Sequence, residues 1–259
     1  MVTIKSPEHI ESMRIAGRIL ARTLDLVEKA ARPGVSTAEL DRLAYDFIVK
    51  ENKAIPSFLN YDGYPATLCT SIDDEIVHGI PSKNRILKEG QLLKIDCGVG
   101  WKGYHTDAAR TVPIGKVSEE KLRLAQVCKE SFFEGVKVLK NGERLGTLGE
   151  AIQTYAEARG YGVVRALIGH GIGESVHEEP DVPNYGKAGR GMRVFTGMTL
   201  AIEPMINLGT YHIRQGDDGW TISTADGLCS AHYENTVVIT DDGVEILTLS
   251  EEDGNGKIC

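Results

Sequence analysis

The sequence predicts an α+β fold. Two helix-forming stretches precede a group of strand-like segments, and the order helix, helix, strands occurs twice along the chain. Helices grouped ahead of strands favour α+β over an alternating α/β arrangement. No Pro/Ser-rich linker or low-complexity stretch divides the halves. Residues 1–259 are therefore expected to form a single domain, with a short flexible tail after Ser250.

Each element has a local cause. Ser6 is placed to cap the first helix, and Pro7 sits in the first turn, where its missing N–H costs nothing. Ile10, Met13, Gly17, Leu20, Leu24 and Val27 follow at three- and four-residue steps and form one apolar stripe. Arg32-Pro33-Gly34 ends that helix. Ser36-Thr37-Ala38-Glu39 reads as a capping box for a second helix carrying Leu40, Leu43, Ala44 and Phe47. From Pro56 to Pro113 the chain turns rich in Gly, Pro, Tyr and β-branched runs, and Leu92–Val99 with Tyr104–Val112 reads as a hairpin. In the second half a helix is expected from Ser118 to about Lys140. Thr147-Leu148-Gly149-Glu150 reads as another capping box, before Ile152, Tyr155 and Ala156. Strands are expected at Val163–Ile168, Met198–Ile206, Trp220–Ser223 and Tyr233–Thr240.

Composition narrows the function. Against 37 acidic residues stand 29 basic ones, a net charge of −8. That balance argues against a nucleic-acid partner and against anionic membrane surfaces. No apolar run approaches the ~20 residues of a membrane span, and the N-terminal stretch lacks the apolar core of a signal peptide. Five widely spaced cysteines without a C-x-x-C pair predict neither a disulfide framework nor a structural zinc site, and a cytoplasmic setting with reduced thiols is expected.

Gly98-Val-Gly100-Trp-Lys-Gly103 satisfies G-x-G-x-x-G, but a strand rather than a helix follows, so it reads as a hairpin turn and not a dinucleotide site. The stronger signal is acidic residues inside apolar strands: Asp96, Asp107, Glu203 and Glu234. Carboxylates are seldom buried unless paired or bound to metal. His170 lies between glycines in Gly169–Gly173, His177 follows, and His78 sits in a turn-like Val77–Pro81 segment. His9, His105, His212 and His232 lack such a context and are read as structural. An oxygen-rich set with few imidazoles suits Mn²⁺, Fe²⁺, Co²⁺ or Zn²⁺ sharing bridging carboxylates, and two such ions can activate a water. H-E-x-x-H, G-x-S-x-G and P-loop patterns are absent.

The order Asp96, Asp107, His170, Glu203, Glu234, with His78 and His177 between, resembles type I methionine aminopeptidase. Asn60–Pro65, Val77–Pro81, Gly169–Gly173, His177–Pro180 and Ile202–Met205 match its local motifs, and the resemblance runs from about Ile4 to Leu249. Glu203 and Glu234 are 31 residues apart, which leaves no room for the type II insertion. A bacterial-type minimal enzyme with the pita-bread fold is implied. By the same resemblance Asp107 and Glu234 would bridge two divalent ions, Asp96 would chelate one, and His170 and Glu203 would complete the other. Glu203 would shuttle protons, His177 would bond the scissile carbonyl oxygen, and His78 would contact the leaving amide nitrogen. The methionine pocket would comprise Phe58, Tyr61, Tyr64, Cys69, Val176, Met205 and Trp220, with bulk exchanged between positions 58 and 176. A monovalent cation, Na⁺ or K⁺, is implied near the Ser71–Glu75 loop and Ser230. The implied partners are the N-termini of nascent polypeptides, met by a monomer near the ribosome exit region. An Xaa-Pro aminopeptidase or prolidase of the same fold, and a non-catalytic binding relative, are the alternatives.

Overall fold

A computed structural model describes residues 2–250 and 256–258. The first half contains α1 (Pro7–Ala30), α2 (Thr37–Tyr45), β1 (Ile55–Pro56), β2 (Leu68–Ile72), β3 (Glu75–Val77), β4 (Gln91–Trp101) and β5 (Tyr104–Ile114). The second contains α3 (Glu119–Val136), α4 (Leu145–Glu157), β6 (Gly162–Val163), β7 (Gly169–Gly171), β8 (Glu178–Val182), β9 (Thr199–Ile202), β10 (Met205–Asn207), β11 (Ile213–Gln215), β12 (Ile222–Thr224), β13 (Ser230–His232), β14 (Asn235–Ile239), β15 (Val244–Ile246) and β16 (Lys257–Ile258). The helix, helix, strands order is present in both halves, as an α+β fold requires.

In the first half the Ser6 hydroxyl accepts from His9 N–H, and Ser36 with Glu39 closes the expected capping box. The α1 stripe of Ala16, Leu20, Leu24 and Val27 packs with Leu40 and Ala44 of α2 onto Leu93, Ile95, Cys97 and Val99 of β4. Truncating one such leucine to alanine costs about 2–5 kcal/mol. Gly17 belongs to the stripe because a Cβ there would lie 2.1 Å from the carbonyl oxygen of Leu247. β4 and β5 form one hairpin whose turn, Lys102-Gly103, has φ of 50° and 83°. Two positive φ values make the hairpin turn expected of a tight two-residue loop, so the glycine-rich motif is the turn and not a phosphate cradle.

In the second half α3 and α4 pack through Phe132, Val136, Leu148 and Ile152 against Leu200, Ile202, Ile206 and Val237. Several boundaries differ from expectation. The α4 helix begins at Leu145 with Arg144 as its N-cap, so the Thr147–Glu150 capping box does not form. The cause is Glu143, whose Oε1 accepts from both the Arg144 N–H and the Thr147 hydroxyl, at 2.8 and 2.9 Å. The α3 helix stops at Val136. Of the Val163–Ile168 expectation only Val163 pairs as a strand, in the two-residue β6 that begins at Gly162. Asp218 accepts the N–H groups of Trp220 and Thr221, bending the chain there, and the strand starts at Ile222. The Met198–Ile206 and Tyr233–Thr240 stretches are each broken, at Glu203-Pro204 and at Tyr233-Glu234. Part of the expected tail, residues 251–255, lies outside the described residues, while Lys257–Ile258 pairs with Val244–Glu245.

The two halves join where Asp107 N–H donates to Thr236 Oγ1 and Thr236 Oγ1 donates back to Asp107 O, at 2.8 and 2.9 Å. This seam sets β5 beside β14 and positions the acidic residues of both halves. No helix among the described residues is long and apolar enough to cross a membrane.

Candidate metal centre

The β4–β5 register sets Asp96 opposite Ala109 and Gly98 opposite Asp107. The two carboxylates therefore lie diagonally on one face of the hairpin. A Cβ at Gly98 would stand 2.8 Å from Ser57 Cβ and 2.9 Å from Phe58 Cε1. Glycine there lets Phe58 close over the acidic pair.

His170 is the middle residue of β7. Its flanking glycines serve the backbone rather than a ligand: a Cβ on Gly169 would lie 2.3 Å from Ala201 O, and one on Gly171 2.2 Å from Glu179 O. His170 Nδ1 donates to the carbonyl of Gly171 at 2.8 Å, which leaves Nε2 facing Glu203 Oε1 at 3.6 Å.

Glu203 and Glu234 stand where the chain changes sheet. β9 and β14 belong to a six-stranded sheet, β10 and β13 to a three-stranded one. The two breaks face each other, since Ile202 pairs with Asn235 and Met205 with His232. Glu234 exchanges backbone hydrogen bonds with Ala109, the cross-strand partner of Asp96. Four carboxylates from four strand contexts are thereby gathered at one place.

Asp96, Asp107 and Glu234 are buried, and Glu203 is nearly so. Burial pushes the Asp96 carboxyl up to about 7. Burial also raises Asp107, Glu203 and Glu234 well above the ordinary carboxylate range, and the neighbouring acids raise each further. The histidines move the opposite way: burial, then the adjacent His177, lowers His170 to about 3 and His78 to about 4. Burial lowers His177 and takes His232 down to about 3. These rings are neutral at physiological pH, the form that binds metal.

Asp96 Oδ1, Asp107 Oδ1, Glu234 Oε1 and both ring nitrogens of His232 are buried without a hydrogen-bond partner among the described residues. Buried charges and polar atoms left bare in this way are costly unless a cation meets them. Two donor groups are each compact enough for one ion: Asp107, His170 and Glu234, and Asp96, His232 and Glu234, with ligand atoms within 4.8 Å of one another. Glu234 is common to both. The donor set fits a pair of divalent cations.

An open cavity leads to these residues, walled by Phe58, Tyr61, Tyr64, Cys69 and Trp220, with His78 and His177 also facing it. Tyr61 Oη lies 3.0 Å from His177 Nδ1. Val176 is buried behind the wall, packed with Phe58, Tyr64 and Cys69. Met205 is placed elsewhere: the β10 register buries it among Ile76, Val77 and Val164, and it is not a cavity-lining residue.

Two residues escaped the sequence reading. His232, read there as structural, lies 3.6 Å from Glu234 Oε2 and 3.9 Å from Glu203 Oε2 through Nε2. No strand periodicity signals it, because β13 ends at His232 and the chain breaks at Tyr233-Glu234 before β14 begins. Asp62, with φ of 48°, also lines the cavity; it sits in an irregular turn whose direction no periodicity reveals.

The model of metallopeptidase family M24 matches residues 11–241. The chain is similar to a methionine aminopeptidase of Clostridium acetobutylicum, 56% identical over 251 residues that cover 97% of this chain and all of the relative. It is also similar to the crystal structure of methionine aminopeptidase from Thermotoga maritima, with a TM-score of 0.94 at 39% identity, covering 96% of this chain and 100% of that one. An Xaa-Pro dipeptidase of Bacillus anthracis shares the fold alone, with a TM-score of 0.76 at 24% identity, covering 95% of this chain and 62% of that one.

Proposed function

The chain belongs to metallopeptidase family M24, among its methionine aminopeptidases, and from that premise we propose that it removes the N-terminal methionine of polypeptides whose second residue is small. The observation that carries the reading is the buried set Asp96, Asp107, His170 and Glu234, with the nearly buried Glu203, at the base of an apolar cavity. Asp107 and Glu234 would hold both divalent ions, Asp96 the first, and His170 and Glu203 the second. When bound, such a pair supplies Lewis acidity and brings the pKa of water near neutrality. Mn²⁺, Fe²⁺, Co²⁺ and Zn²⁺ all suit these donors.

The residues of the chain then divide the remaining work. The wall of Phe58, Tyr61, Tyr64, Cys69 and Trp220 receives the methionine side chain, whose thioether gains about 0.3–1.5 kcal/mol against an aromatic edge. Val176 supports that wall from behind. Glu203 accepts the proton of the attacking water and returns it to the leaving amine. Tyr61 donating to His177 Nδ1 keeps the proton on Nε2, which donates to the scissile carbonyl oxygen as charge develops there. His78 faces the leaving-group side. The setting we assign is the cytoplasm, where the four described cysteines would stay reduced; they are free and buried. There the substrate would be the nascent chain near the ribosome exit, met by a monomer.

The test is hydrolysis of Met-Ala-Ser against Ala-Pro peptides by the metal-loaded enzyme, with a Glu203→Gln variant in parallel. Cleavage of the methionyl peptide alone, lowered about a thousandfold or more by the variant, is expected. Cleavage confined to Xaa-Pro peptides favours the prolidase alternative, and no cleavage by a chain that binds metal favours a non-catalytic relative.

A further inference from the structure

The family resemblance implies a sodium or potassium ion at the Ser71–Glu75 loop and Ser230, yet that loop is already supplied with cations from the chain itself. Lys94 lies in mid-β4, opposite Ser71 of β2 and Thr111 of β5, and is buried to 1% exposure. Its Nζ donates to the carbonyl oxygen of Asp73 at 2.7 Å. The same carbonyl accepts the N–H of Ser230 at 2.9 Å, so Lys94 sits where the loop meets the start of β13. The side chains of the loop are also paired. Lys121 Nζ is 2.6 Å from Asp73 Oδ1, Arg214 is 3.0 Å from Asp74 Oδ2, and Arg85 bonds Glu75.

We infer that the Lys94 side chain is the resident cation of this loop and takes the place of a monovalent metal ion. An ammonium is a compact point charge with three donors, able to address backbone carbonyls much as a small cation does. Its position has a consequence for the site. The loop joins β2, which carries Cys69, to β3, which leads to His78, and Ser230 opens β13, which leads to His232 and Glu234. A covalently tethered cation at their junction holds these strands in register without recruiting an ion from solution.

The experiment compares wild-type enzyme with Lys94→Asn in sodium, potassium and tetramethylammonium chloride at equal ionic strength, reading the thermal midpoint and Met-Ala-Ser hydrolysis. Wild type should vary by no more than about twofold in kcat/KM, as general screening would give, with one midpoint in all three salts. The variant should lose about tenfold in kcat/KM in tetramethylammonium, melt about 5 °C lower, and recover saturably with sodium or potassium. A saturable sodium- or potassium-specific response of wild type overturns the inference, and this arm decides even if the variant does not fold. A folded variant indifferent to the cation also overturns it.

Discussion

Two acidic clusters lie close together in this molecule and are treated oppositely. In the loop at Asp73, Asp74 and Glu75 every carboxylate has a basic side chain of its own, from Lys121, Arg214 and Arg85. At Asp96, Asp107, Glu203 and Glu234 no lysine or arginine forms an ion pair among the described residues, and the basic side chains within 4 Å of the Glu203 and Glu234 carboxylates are those of His170 and His232. Arg110 comes near, but it donates to the backbone carbonyl of Glu234 at 2.6 Å. The loop acids are partly exposed, whereas Asp96, Asp107 and Glu234 are buried and Glu203 keeps only 14% of its side chain exposed. In the loop the chain supplies the counter-charge; at the four buried or nearly buried acids, which we assign to metal, it withholds it and leaves room for a cation from outside.

Chelation should break this contrast most completely. Removing divalent ions with a chelator is expected to abolish peptidase activity and lower the melting temperature, with both restored by adding back one of the four candidate metals. The stripped protein should also have a distinctive pH response. The folded-state pKa values of Asp96, Asp107, Glu203 and Glu234 are raised above their unfolded values. Between the two values the folded state binds more protons, so stability falls as pH rises. The lowered pKa values of His78, His170, His177 and His232 act the opposite way below about pH 6.5, where the unfolded chain takes up protons that the folded rings refuse. The metal-free protein should therefore lose stability above about pH 6.5, through the value of about 7 at Asp96, and the gain on adding metal should grow over that window. Melting curves that are flat or rise with pH over that window would contradict it.

Asp107→Asn sharpens the contrast at a single residue. Activity should fall about a thousandfold or more, since one bridging carboxylate is lost. The metal-free variant should nevertheless melt at or above the metal-free wild type, because it no longer carries the cost of protonating or burying a carboxylate whose pKa burial, Glu234 and Asp96 raise. Calorimetry on both stripped proteins checks this; a variant clearly less stable than wild type would mean that Asp107 is structural.

The smallest effect is expected on the paired side. Asp74→Asn removes a part-exposed partner of Arg214, and such surface pairs contribute about 0–1 kcal/mol. Urea unfolding should shift by no more than that, and kcat/KM should be unchanged. A large loss of activity would join the loop to the chemistry and erase the distinction between the clusters.

Much of this was legible in the chain alone. The caps at Ser6 and Ser36, the α1 stripe and the β4–β5 hairpin are local, set by residues three or four apart or by one turn. The acids were visible because Asp96, Asp107, Glu203 and Glu234 interrupt otherwise apolar runs. Local reading failed where a distant partner intervened. Thr147 was taken by Glu143 instead of capping α4; Met205, placed in the pocket by the resemblance, is instead buried among Ile76, Val77 and Val164 by the register of β10.

The sequence by itself determined the residue types and their order: four carboxylates and three histidines in strand and turn settings, together with the helix and hairpin signals that bracket them. Only the tertiary structure decided which acids would be neutralised. Lys94 and Asp96 are two residues apart on one strand, yet one closes a loop with its own charge and the other lies bare at the base of a cavity. Local propensity cannot make that distinction, because burial and counter-charge are set by strands arriving from the other half of the chain. His232 came to lie beside Glu203 and Glu234 for the same reason, when the break at Tyr233-Glu234 came to face Glu203-Pro204 across the two sheets.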